Sequence, residues 1–263
     1  MALPQAKKAL GQHFLVDSHY VGRIIAAIRP QSADRMVEIG PGPGALTRPL
    51  LESLRHLDVV ELDREMVARL EIEFSPERLT IHRADALRFP FSDLGPDLRV
   101  VGNLPYNISS PLLFHLAEYA QGIRDMVFML QKEVVDRMAA APATPDYGRL
   151  SVMLQARFRV EKLFTVPPGA FRPPPKVDSA IVRLIPLPGV AVPYHDHTLF
   201  AEVVARAFGQ RRKTLRNTLR GLVDEAIFEK LAIDPGRRGE TLSVAEFAAL
   251  ANCLADDRVV SAG

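Results

Sequence analysis

The sequence predicts an α/β protein with a mostly parallel, doubly wound sheet, followed by a smaller all-helical C-terminal domain. Short apolar runs alternate with amphipathic segments as far as Leu130, a pattern typical of parallel strands with helices packed on both faces. After Pro186, Pro188 and Pro193 the pattern becomes purely helical. We therefore place a domain boundary near residue 188 and expect domains at 1–188 and 189–263.

Each predicted strand is a short apolar run that ends in turn residues. The strands are expected at Met36–Ile39, Val59–Leu62, Leu79–Ile81, Leu98–Val101, Met126–Leu130, Phe164–Val166 and Ser179–Leu184. Asp17 or Ser18 is expected to cap a first helix, and Asp63 to cap the helix after the second strand. Pro111 is expected to be the first residue of a later helix, because proline fits the first helical turn.

Several classes of protein are excluded by composition. No apolar run approaches the about eighteen residues of a membrane span, and the N-terminus lacks the apolar region of a secretory signal. The single cysteine, Cys253, excludes an internal disulfide, and we expect a cytoplasmic protein. His195 and His197 lack the spacing and acidic partners of a metal site, so we expect exposed histidines and no metal.

A glycine-rich turn follows the first predicted strand, with the sequence Gly40-Pro41-Gly42-Pro43-Gly44. Glycines let the backbone turn tightly and approach a ligand closely. Glu61, about twenty residues further on, ends the second strand, where a carboxylate can accept both ribose hydroxyls of an adenosine ligand. This pair fits a dinucleotide as well as S-adenosylmethionine, because Gly40, Gly42 and Ala45 also satisfy a loose dehydrogenase pattern.

Two further features favour S-adenosylmethionine. Asp85 lies just past the third strand, where an acid can accept a hydrogen bond from an adenine amino group; a turn cap is the alternative interpretation. The fourth strand then ends in Gly102-Asn103-Leu104-Pro105-Tyr106-Asn107, which no dehydrogenase chemistry requires. The sequence therefore predicts a methyltransferase cofactor site.

Asn103-Leu104-Pro105-Tyr106 resembles the Asn/Asp-Pro-Pro-Tyr motif of amino-methyltransferases. An exocyclic adenine amine is a poor nucleophile, because its lone pair is delocalised into the ring. The Asn103 side-chain oxygen and the Leu104 carbonyl can accept its hydrogens and so orient the lone pair towards a methyl donor. Pro105 is expected to fix the loop, and Tyr106 to stack on an extruded base. Carbon-5 pyrimidine methyltransferases are excluded, because they need a cysteine nucleophile and Cys253 lies far from these motifs.

The motifs together resemble the ribosomal RNA adenine dimethyltransferase family, and they occur in order along essentially the whole chain. They are Gly11-Gln12-His13-Phe14-Leu15, Glu38-Ile39-Gly40-Pro41-Gly42, Asn103-Leu104-Pro105-Tyr106-Asn107-Ile108-Ser109, Phe128-Met129-Leu130-Gln131-Lys132-Glu133, Pro173-Pro174-Pro175-Lys176-Val177-Asp178-Ser179 and Gln210-Arg211-Arg212-Lys213-Thr214. The resemblance implies a Rossmann-like class I methyltransferase sheet. It also implies S-adenosylmethionine-dependent dimethylation of N6 on two adjacent adenines, in a hairpin loop near the 3′ end of small-subunit (16S) ribosomal RNA, on an assembling subunit.

The resemblance also assigns roles to single residues. His13 and Leu15 are expected to border the methionine end and the adenosine of the cofactor. The backbone of Gly40 and Gly42, the carboxylates of Glu61 and Asp85, and the side chain of Asn103 are expected to contact the rest of it. Phe171 matches an aromatic residue that faces the target base opposite Tyr106. His13 departs from the family pattern, since many members have asparagine there, which puts the strength of that contact in doubt.

The segment from Ala205 to Val223 carries six cations and no acid: Arg206, Arg211, Arg212, Lys213, Arg216 and Arg220. Arg212, Arg216 and Arg220 recur at four-residue spacing on one predicted helical face, with leucines on another. Beside an RNA methyltransferase domain this pattern favours an RNA-backbone contact over a solvated or membrane-surface helix. Arg211, Arg212, Lys213, Arg216 and Arg220 are therefore the candidate RNA-binding residues.

Two alternative functions stay open at this point. One is a large-subunit ribosomal RNA adenine N6-methyltransferase, although the Phe171–Ser179 segment and the Gln210–Thr214 string favour the small-subunit enzyme. The other is a ribosome-assembly factor whose catalysis is secondary or lost, against which the intact Asn103–Tyr106 loop argues. We expect a monomer whose partners are the small ribosomal subunit and its RNA, with no membrane contact.

Overall fold

A parallel sheet with an antiparallel closing hairpin forms the centre of the first compact unit. The computed structural model describes residues 4–7, 11–189 and 193–262. In this part of the chain the strands are β1 (Phe14–Leu15), β2 (Arg35–Ile39), β3 (Leu57–Val60), β4 (Leu79–His82), β5 (Leu98–Asn103), β6 (Ile123–Gln131), β7 (Phe158–Val166), β8 (Phe171–Arg172) and β9 (Ser179–Pro186). Seven of them form one sheet in the order β4-β3-β2-β5-β6-β9-β7, and β1 pairs with β8 in a small second sheet.

The strand order reverses direction between β2 and β5. Strand β2 runs parallel to β3 on one side and to β5 on the other. Strand β9 enters antiparallel to β6, with Met126 opposite Leu184. Every strand predicted from the sequence is present, and the two closing strands extend further than expected. Glu61 and Leu62 were predicted inside the second strand, but β3 ends at Val60, so both belong to the following turn.

The helices of the first part of the chain pack on this sheet and start at residues the sequence predicts closely. They are α1 (Ser18–Ile28), α2 (Thr47–Ser53), α3 (Arg64–Glu73), α4 (Ser109–Glu118) and α5 (Lys132–Ala139). The side chains of Asp17 and Asp63 accept backbone hydrogen bonds at the starts of α1 and α3, which confirms both caps. The predicted start of α4 at Pro111 is two residues late. Proline also fits the third position, because the first four N–H groups of a helix have no partner within it.

The chain divides into two compact units, and the division is not a single cut. The first unit comprises residues 1–135 and 160–186, and the second comprises 136–159 and 187–263. The C-terminal part of the second unit therefore begins at residue 187, next to the domain boundary expected near residue 188. Residues 136–159 group with it because of contacts distant in sequence: the Tyr147 hydroxyl donates to the Leu242 carbonyl at 2.8 Å, and the Ala143 N–H donates to the Glu240 carbonyl at 2.8 Å.

The described part of the second unit is helical throughout its C-terminal segment, as predicted. Its helices are α6 (Arg149–Gln155), α7 (His197–Gly209), α8 (Leu215–Thr218), α9 (Glu225–Lys230) and α10 (Val244–Ala262). Phe200, Val203 and Val204 of α7 are fully buried, as are Leu215 and Leu219. The continuous basic helix predicted over residues 206–220 is wrong, because α7 ends at Gly209 and a turn separates it from α8. Among the described residues no helix combines the length and apolarity that crossing a bilayer requires.

Close contact between β2 and β5 sets the shape of the cleft edge. A Cβ atom added at Gly102 would lie 2.5 Å from the Ile39 carbonyl oxygen, well inside van der Waals contact. Glycine is therefore required at the penultimate position of β5, for its missing side chain and not for an unusual backbone angle. This approach brings the ends of β2 and β5 together, immediately before Gly40 and Asn103.

We predict that Gly102→Ala destabilises the protein, because the new methyl group meets backbone that cannot move without disturbing the sheet. The expected loss in the free energy of unfolding is about 1–3 kcal/mol, the usual cost of overpacking. Gly122→Ala is the matched control, since a Cβ there meets no atom within 4 Å. Denaturant unfolding of both variants measures the difference, and equal stabilities would contradict the close-contact argument.

Candidate active site

The principal cleft of the first unit lies at the carboxyl ends of the parallel strands, where the strand order reverses. Ligands of doubly wound sheets bind at this topological position, because the loops there diverge and leave a crevice. Five chain segments line the cleft: Gly11–Leu15, Glu38–Leu46 without Gly44, Val60–Leu62, Ala84–Leu87 and Asn103–Ile108. Each residue predicted to bind the cofactor is in this lining, namely His13, Leu15, Gly40, Gly42, Glu61, Asp85 and Asn103.

The glycine-rich turn adopts backbone angles that other residues rarely take. Gly40 has a φ of 64° and Gly42 a φ of 52°, both in the left-handed region. The Gly40 N–H donates to the Val60 carbonyl at 2.9 Å, and the Gly42 N–H donates to Glu61 Oε2 at 3.2 Å. The turn is therefore fixed to the end of β3 by two hydrogen bonds, and its backbone forms a side-chain-free wall.

Glu61 is a buried carboxylate held in place by backbone donors. Besides the Gly42 N–H at Oε2, the Asp63 N–H donates to Oε1 at 2.8 Å. The side chain is buried, and this desolvation raises the pKa of Glu61. A carboxylate offers about four lone-pair positions, so two backbone donors leave acceptor capacity for a pair of ligand hydroxyls. The geometry is compatible with the ribose role predicted for this residue.

Glu38 is a second buried carboxylate in the cleft that sequence analysis did not single out. It belongs to β2, is 2% exposed and lines the same cavity as Glu61. The Thr47 hydroxyl donates to Oε2 at 2.6 Å, and within the described residues this is the only hydrogen bond to the carboxyl group. Burial raises the pKa of Glu38 to about 7. An acid in an otherwise apolar strand, two residues before the glycine-rich turn, was the sequence signal for it.

Asp85 caps the turn after β4 and also lines the cleft. Its Oδ1 accepts the Leu87 N–H at 3.0 Å, so the cap interpretation of this residue is correct. The carboxylate keeps further lone pairs, and the side chain is only half-buried. The cap fixes the orientation of the Asp85 side chain. This orientation is compatible with a carboxylate that accepts a hydrogen bond from an adenine amino group.

Asn103 is the last residue of β5, and its side-chain amide is oriented by the N-terminal segment. The amide nitrogen donates to the His13 carbonyl at 3.0 Å. This leaves Oδ1 at the cleft wall as an acceptor without a hydrogen bond among the described residues. The next residue, Leu104, is fixed by its N–H, which donates to the Met129 carbonyl of β6 at 3.1 Å. Pro105 and Tyr106 continue the cleft wall beyond it.

Tyr106 has a half-buried ring with two fixed contacts. Its ring stacks on the His13 imidazole, with centroids 5.6 Å apart and planes inclined by 25°. Its hydroxyl is hydrogen-bonded to the Ser179 hydroxyl at 2.7 Å, and burial raises the pKa of Tyr106. His13 Nδ1 lies 2.9 Å from the Pro173 carbonyl, so this nitrogen carries the donated hydrogen. These contacts gather the Gly11–Leu15, Asn103–Ile108 and 172–179 segments at one corner of the cleft.

Phe171, which is expected to face the target base opposite Tyr106, is not among the residues that line the cleft. Phe171 is fully buried, lies in strand β8 opposite Leu15 of β1, and packs in the main hydrophobic core. The aromatic ring beside Tyr106 is that of His13.

Arg206 and the candidate RNA-binding residues of the second unit are exposed, but most of them have acidic or polar partners. Arg206 pairs with Glu202, Arg211 with Glu240, Arg216 with Glu225 and Arg220 with Asn217. The segment contains no acidic residue, but acids from other parts of the chain lie beside most of its arginines on the folded surface. Arg212 and Lys213, in the turn between α7 and α8, are the exception. Both are exposed, and neither side chain has a partner in the described part of the chain.

The remaining candidates agree with their simpler interpretations. His195 and His197 are exposed, and the described residues hold no cluster of potential metal ligands. Gln131 ends β6 and Lys132 begins α5, so the segment is a strand-to-helix junction. Cys253 is buried in α10.

Comparison with known proteins places these features in a family. A family model described as "Ribosomal RNA adenine dimethylase" matches residues 4–256. The protein named "Ribosomal RNA small subunit methyltransferase A" from Aromatoleum aromaticum is 62% identical over 255 residues, covering 97% of this chain and 96% of the relative. Its namesake from Thiobacillus denitrificans is also 62% identical, over 95% of this chain and 98% of that protein.

Solved structures show the same architecture. A dimethyladenosine transferase from Plasmodium falciparum is 27% identical with a TM-score of 0.78, covering 90% of this chain and 96% of that one. The 23S rRNA methyltransferase ErmE is 26% identical with a TM-score of 0.68, covering 92% of this chain and 99% of that one. The predicted α/β fold of the class I methyltransferase type is confirmed.

We predict that Glu38 makes the unliganded protein less stable at higher pH. Its folded pKa of about 7 exceeds the ordinary 4.5, so between these values the folded protein holds a proton that the unfolded chain has released. The free energy of unfolding therefore falls as the pH rises through this window, by about 2–3 kcal/mol from this residue. Glu38→Gln should abolish that component.

The measurement is the difference in unfolding free energy between Glu38→Gln and the wild type at about pH 5 and about pH 8. Other titrating groups cancel in this difference. A gap that stays constant across the two pH values would show that Glu38 ionises normally in the fold.

Proposed function

The chain belongs to the ribosomal RNA adenine dimethylase family, and we propose that the cleft around Asn103 dimethylates N6 of two adjacent adenines near the 3′ end of small-subunit RNA. The enzyme is an S-adenosylmethionine-dependent ribosomal RNA adenine dimethyltransferase. The observation that carries the site assignment is the Asn103 amide: its nitrogen is committed to the His13 carbonyl, and its oxygen is left as an acceptor on the cleft wall.

The residues of the cleft fit S-adenosylmethionine. When bound, this co-substrate supplies an electrophilic methyl group on a sulfonium. Glu61 offers a buried carboxylate to the ribose hydroxyls, and the backbone at Gly40 and Gly42 leaves room beside it. Asp85 offers an acceptor to the adenine amino group. Leu62, with 57% of its surface exposed at the cleft rim, offers an apolar face to the adenine ring.

Asn103 and Leu104 are proposed to orient the target amine. The Asn103 oxygen and the Leu104 carbonyl accept the two N6 hydrogens, which favours a pyramidal nitrogen with its lone pair directed at the methyl group. Orientation of this kind lowers the barrier because the donors and acceptors are already fixed before substrate binds. The His13 contact fixes Asn103, and the Met129 contact fixes Leu104. Each methyl transfer then requires the loss of one proton from N6.

The rings of Tyr106 and His13 are proposed to form the aromatic surface for the extruded adenine. Stacking on an aromatic side chain contributes about 1–3 kcal/mol per base. The hydroxyl of Tyr106 serves a different purpose, since it holds the ring against Ser179 at the start of β9. The role towards the base that the family resemblance assigns to Phe171 stays a prediction.

Small-subunit RNA is favoured over large-subunit RNA by the relatives. The proteins most similar in sequence carry the small-subunit name at 53–62% identity, whereas the 23S rRNA methyltransferase ErmE is 26% identical. We further propose that the second unit contacts the RNA backbone of the assembling small subunit through Arg212 and Lys213. Exposed cations without protein partners bind phosphates without first breaking an ion pair.

We predict that Asn103→Ala lowers turnover by about 100-fold or more, because it removes a pre-oriented hydrogen-bond group at the reacting nitrogen. Asn103→Asp is the matched control. It keeps an acceptor for the amine but cannot donate to the His13 carbonyl, so it should retain more activity than the alanine variant. The assay measures methyl transfer to undermethylated small subunits and identifies the product nucleoside.

Calorimetry with S-adenosylmethionine completes this test. Both variants should bind the co-substrate within a few-fold of the wild type if Asn103 mainly orients the amine. Full turnover by Asn103→Ala, or a product other than N6,N6-dimethyladenosine, would contradict the proposed function.

We also predict that Arg212→Gln/Lys213→Gln weakens binding to the small subunit and flattens its salt dependence. Losing two phosphate contacts should reduce the slope of log affinity against log salt by about 1–2. Arg206→Gln/Lys230→Gln makes the same change in net charge elsewhere on this unit, and it should leave the slope nearly unchanged. Equal slopes for the two double variants would mean that the turn between α7 and α8 does not contact RNA.

A further inference from the structure

Asp63 makes more contacts than its position at the start of α3 requires. Capping needs one acceptor, and Oδ1 supplies it to the Glu65 N–H at 3.0 Å. The same oxygen accepts from the Lys7 ammonium at 2.6 Å, and Oδ2 accepts from the Gln12 side-chain amide at 2.9 Å. The Asp63 side chain is 1% exposed, whereas that of Lys7 is 44% exposed. Both oxygens of this buried carboxylate thus accept hydrogen bonds from side chains more than fifty positions away in the sequence, those of Lys7 and Gln12.

Both partners belong to the N-terminal segment, which forms one wall of the cleft. The Lys7 N–H donates to the Gln12 side-chain oxygen at 2.9 Å, so the backbone at Lys7 and the amide of Gln12 are tied together as well as to Asp63. Gln12 itself is one of the wall residues Gly11–Leu15, which include the His13 carbonyl that orients Asn103. Among the described residues Lys7 and Gln12 link this segment to α3.

Asp63 also contacts the opposite wall through its backbone. Its N–H donates to Glu61 Oε1 at 2.8 Å, and the second oxygen of Glu61 is held by the Gly42 N–H. One residue therefore fixes the ribose acceptor by its main chain and the N-terminal segment by its side chain. Displacement of either wall would disturb the other, because both depend on the same turn.

We propose that Asp63 is a positioning residue for S-adenosylmethionine: through its ion pair with Lys7 and its hydrogen bond with Gln12, it holds the cleft wall Gly11–Leu15 in place. This inference rests on the proposed function of the cleft as the co-substrate site. The charge is essential to it, because a charge-assisted hydrogen bond is roughly twice as strong as a neutral one. Without the Lys7–Asp63 pair, the neutral Gln12 hydrogen bond is the link that remains, among the described residues, between Asp63 and the wall that carries His13.

The test is a double-mutant cycle on full-length protein, with S-adenosylmethionine affinity measured by calorimetry. Asp63→Asn keeps acceptors for the Glu65 N–H and removes the charge, and Lys7→Met removes the cation while keeping an apolar stem. Each single variant should weaken binding by about five- to tenfold, somewhat below the range for a hydrogen bond to a charged group because Lys7 is half-exposed. The double variant should bind no more weakly than Asp63→Asn alone.

Kinetics distinguish positioning from a general loss of structure. At saturating S-adenosylmethionine, turnover on small subunits should stay within about twofold of the wild type, while the KM for S-adenosylmethionine rises in parallel with its Kd. Asp224→Asn is the matched control, since Asp224 caps α9 by accepting the Ile227 N–H at 2.9 Å and lies outside the cleft lining. It should lower thermal stability without changing affinity.

The results that would overturn the inference are distinct. If Asp63→Asn behaves like Asp224→Asn, losing stability alone, Asp63 is only a helix cap. If Lys7→Met weakens S-adenosylmethionine binding equally in the wild-type and Asp63→Asn backgrounds, the ion pair between Lys7 and Asp63 does not hold the cleft wall in place. Glu61→Gln, titrated alongside, separates these failures from that of the proposed function. Unchanged S-adenosylmethionine binding by Glu61→Gln would refute the cleft as the co-substrate site and the inference with it.

Discussion

The close approach of β2 and β5 is the constraint on which the rest of the site depends. Gly102 allows it, because any side chain there would meet the Ile39 carbonyl oxygen. The approach joins the two strands where the sheet order reverses, so the chain leaving β2 and the chain leaving β5 diverge around a single crevice. The glycine-rich turn and the Asn103 loop face this crevice for that reason. The residues proposed to bind the co-substrate and those proposed to orient the amine therefore line the same cleft.

Two buried carboxylates line this crevice, Glu38 and Glu61, and a third, Asp63, is bonded to Glu61 through its backbone; each is stabilised by different means. Asp63 is paired with a lysine, which together with its hydrogen bonds holds its pKa below the ordinary value. Glu61 has backbone N–H donors only, and burial raises its pKa. Glu38 has a single hydroxyl donor and is the most strongly raised.

The N-terminal segment contributes the wall Gly11–Leu15 to the cleft. It pairs with β8 through β1, orients Asn103 through the His13 carbonyl and is tied to α3 through Asp63. Its His13 ring also supplies the aromatic neighbour of Tyr106. His13 therefore contacts both the residue proposed to orient the amine and the ring proposed to stack on the base.

The sequence by itself determined the strands, the caps at Asp17 and Asp63, the order of the cleft motifs and the family. These features are local. Apolar runs, glycines and capping acids act over a few residues, so they can be recognised from the sequence. Only the tertiary structure decided that Phe171 is a core residue and that His13 stands beside Tyr106, because the β1–β8 pairing joins segments more than 150 residues apart. It also decided that residues 136–159 belong with the C-terminal helices, and that most of the basic segment is neutralised by acids from elsewhere in the chain. Side-chain partners of this kind are set by packing between distant elements, which no local pattern records.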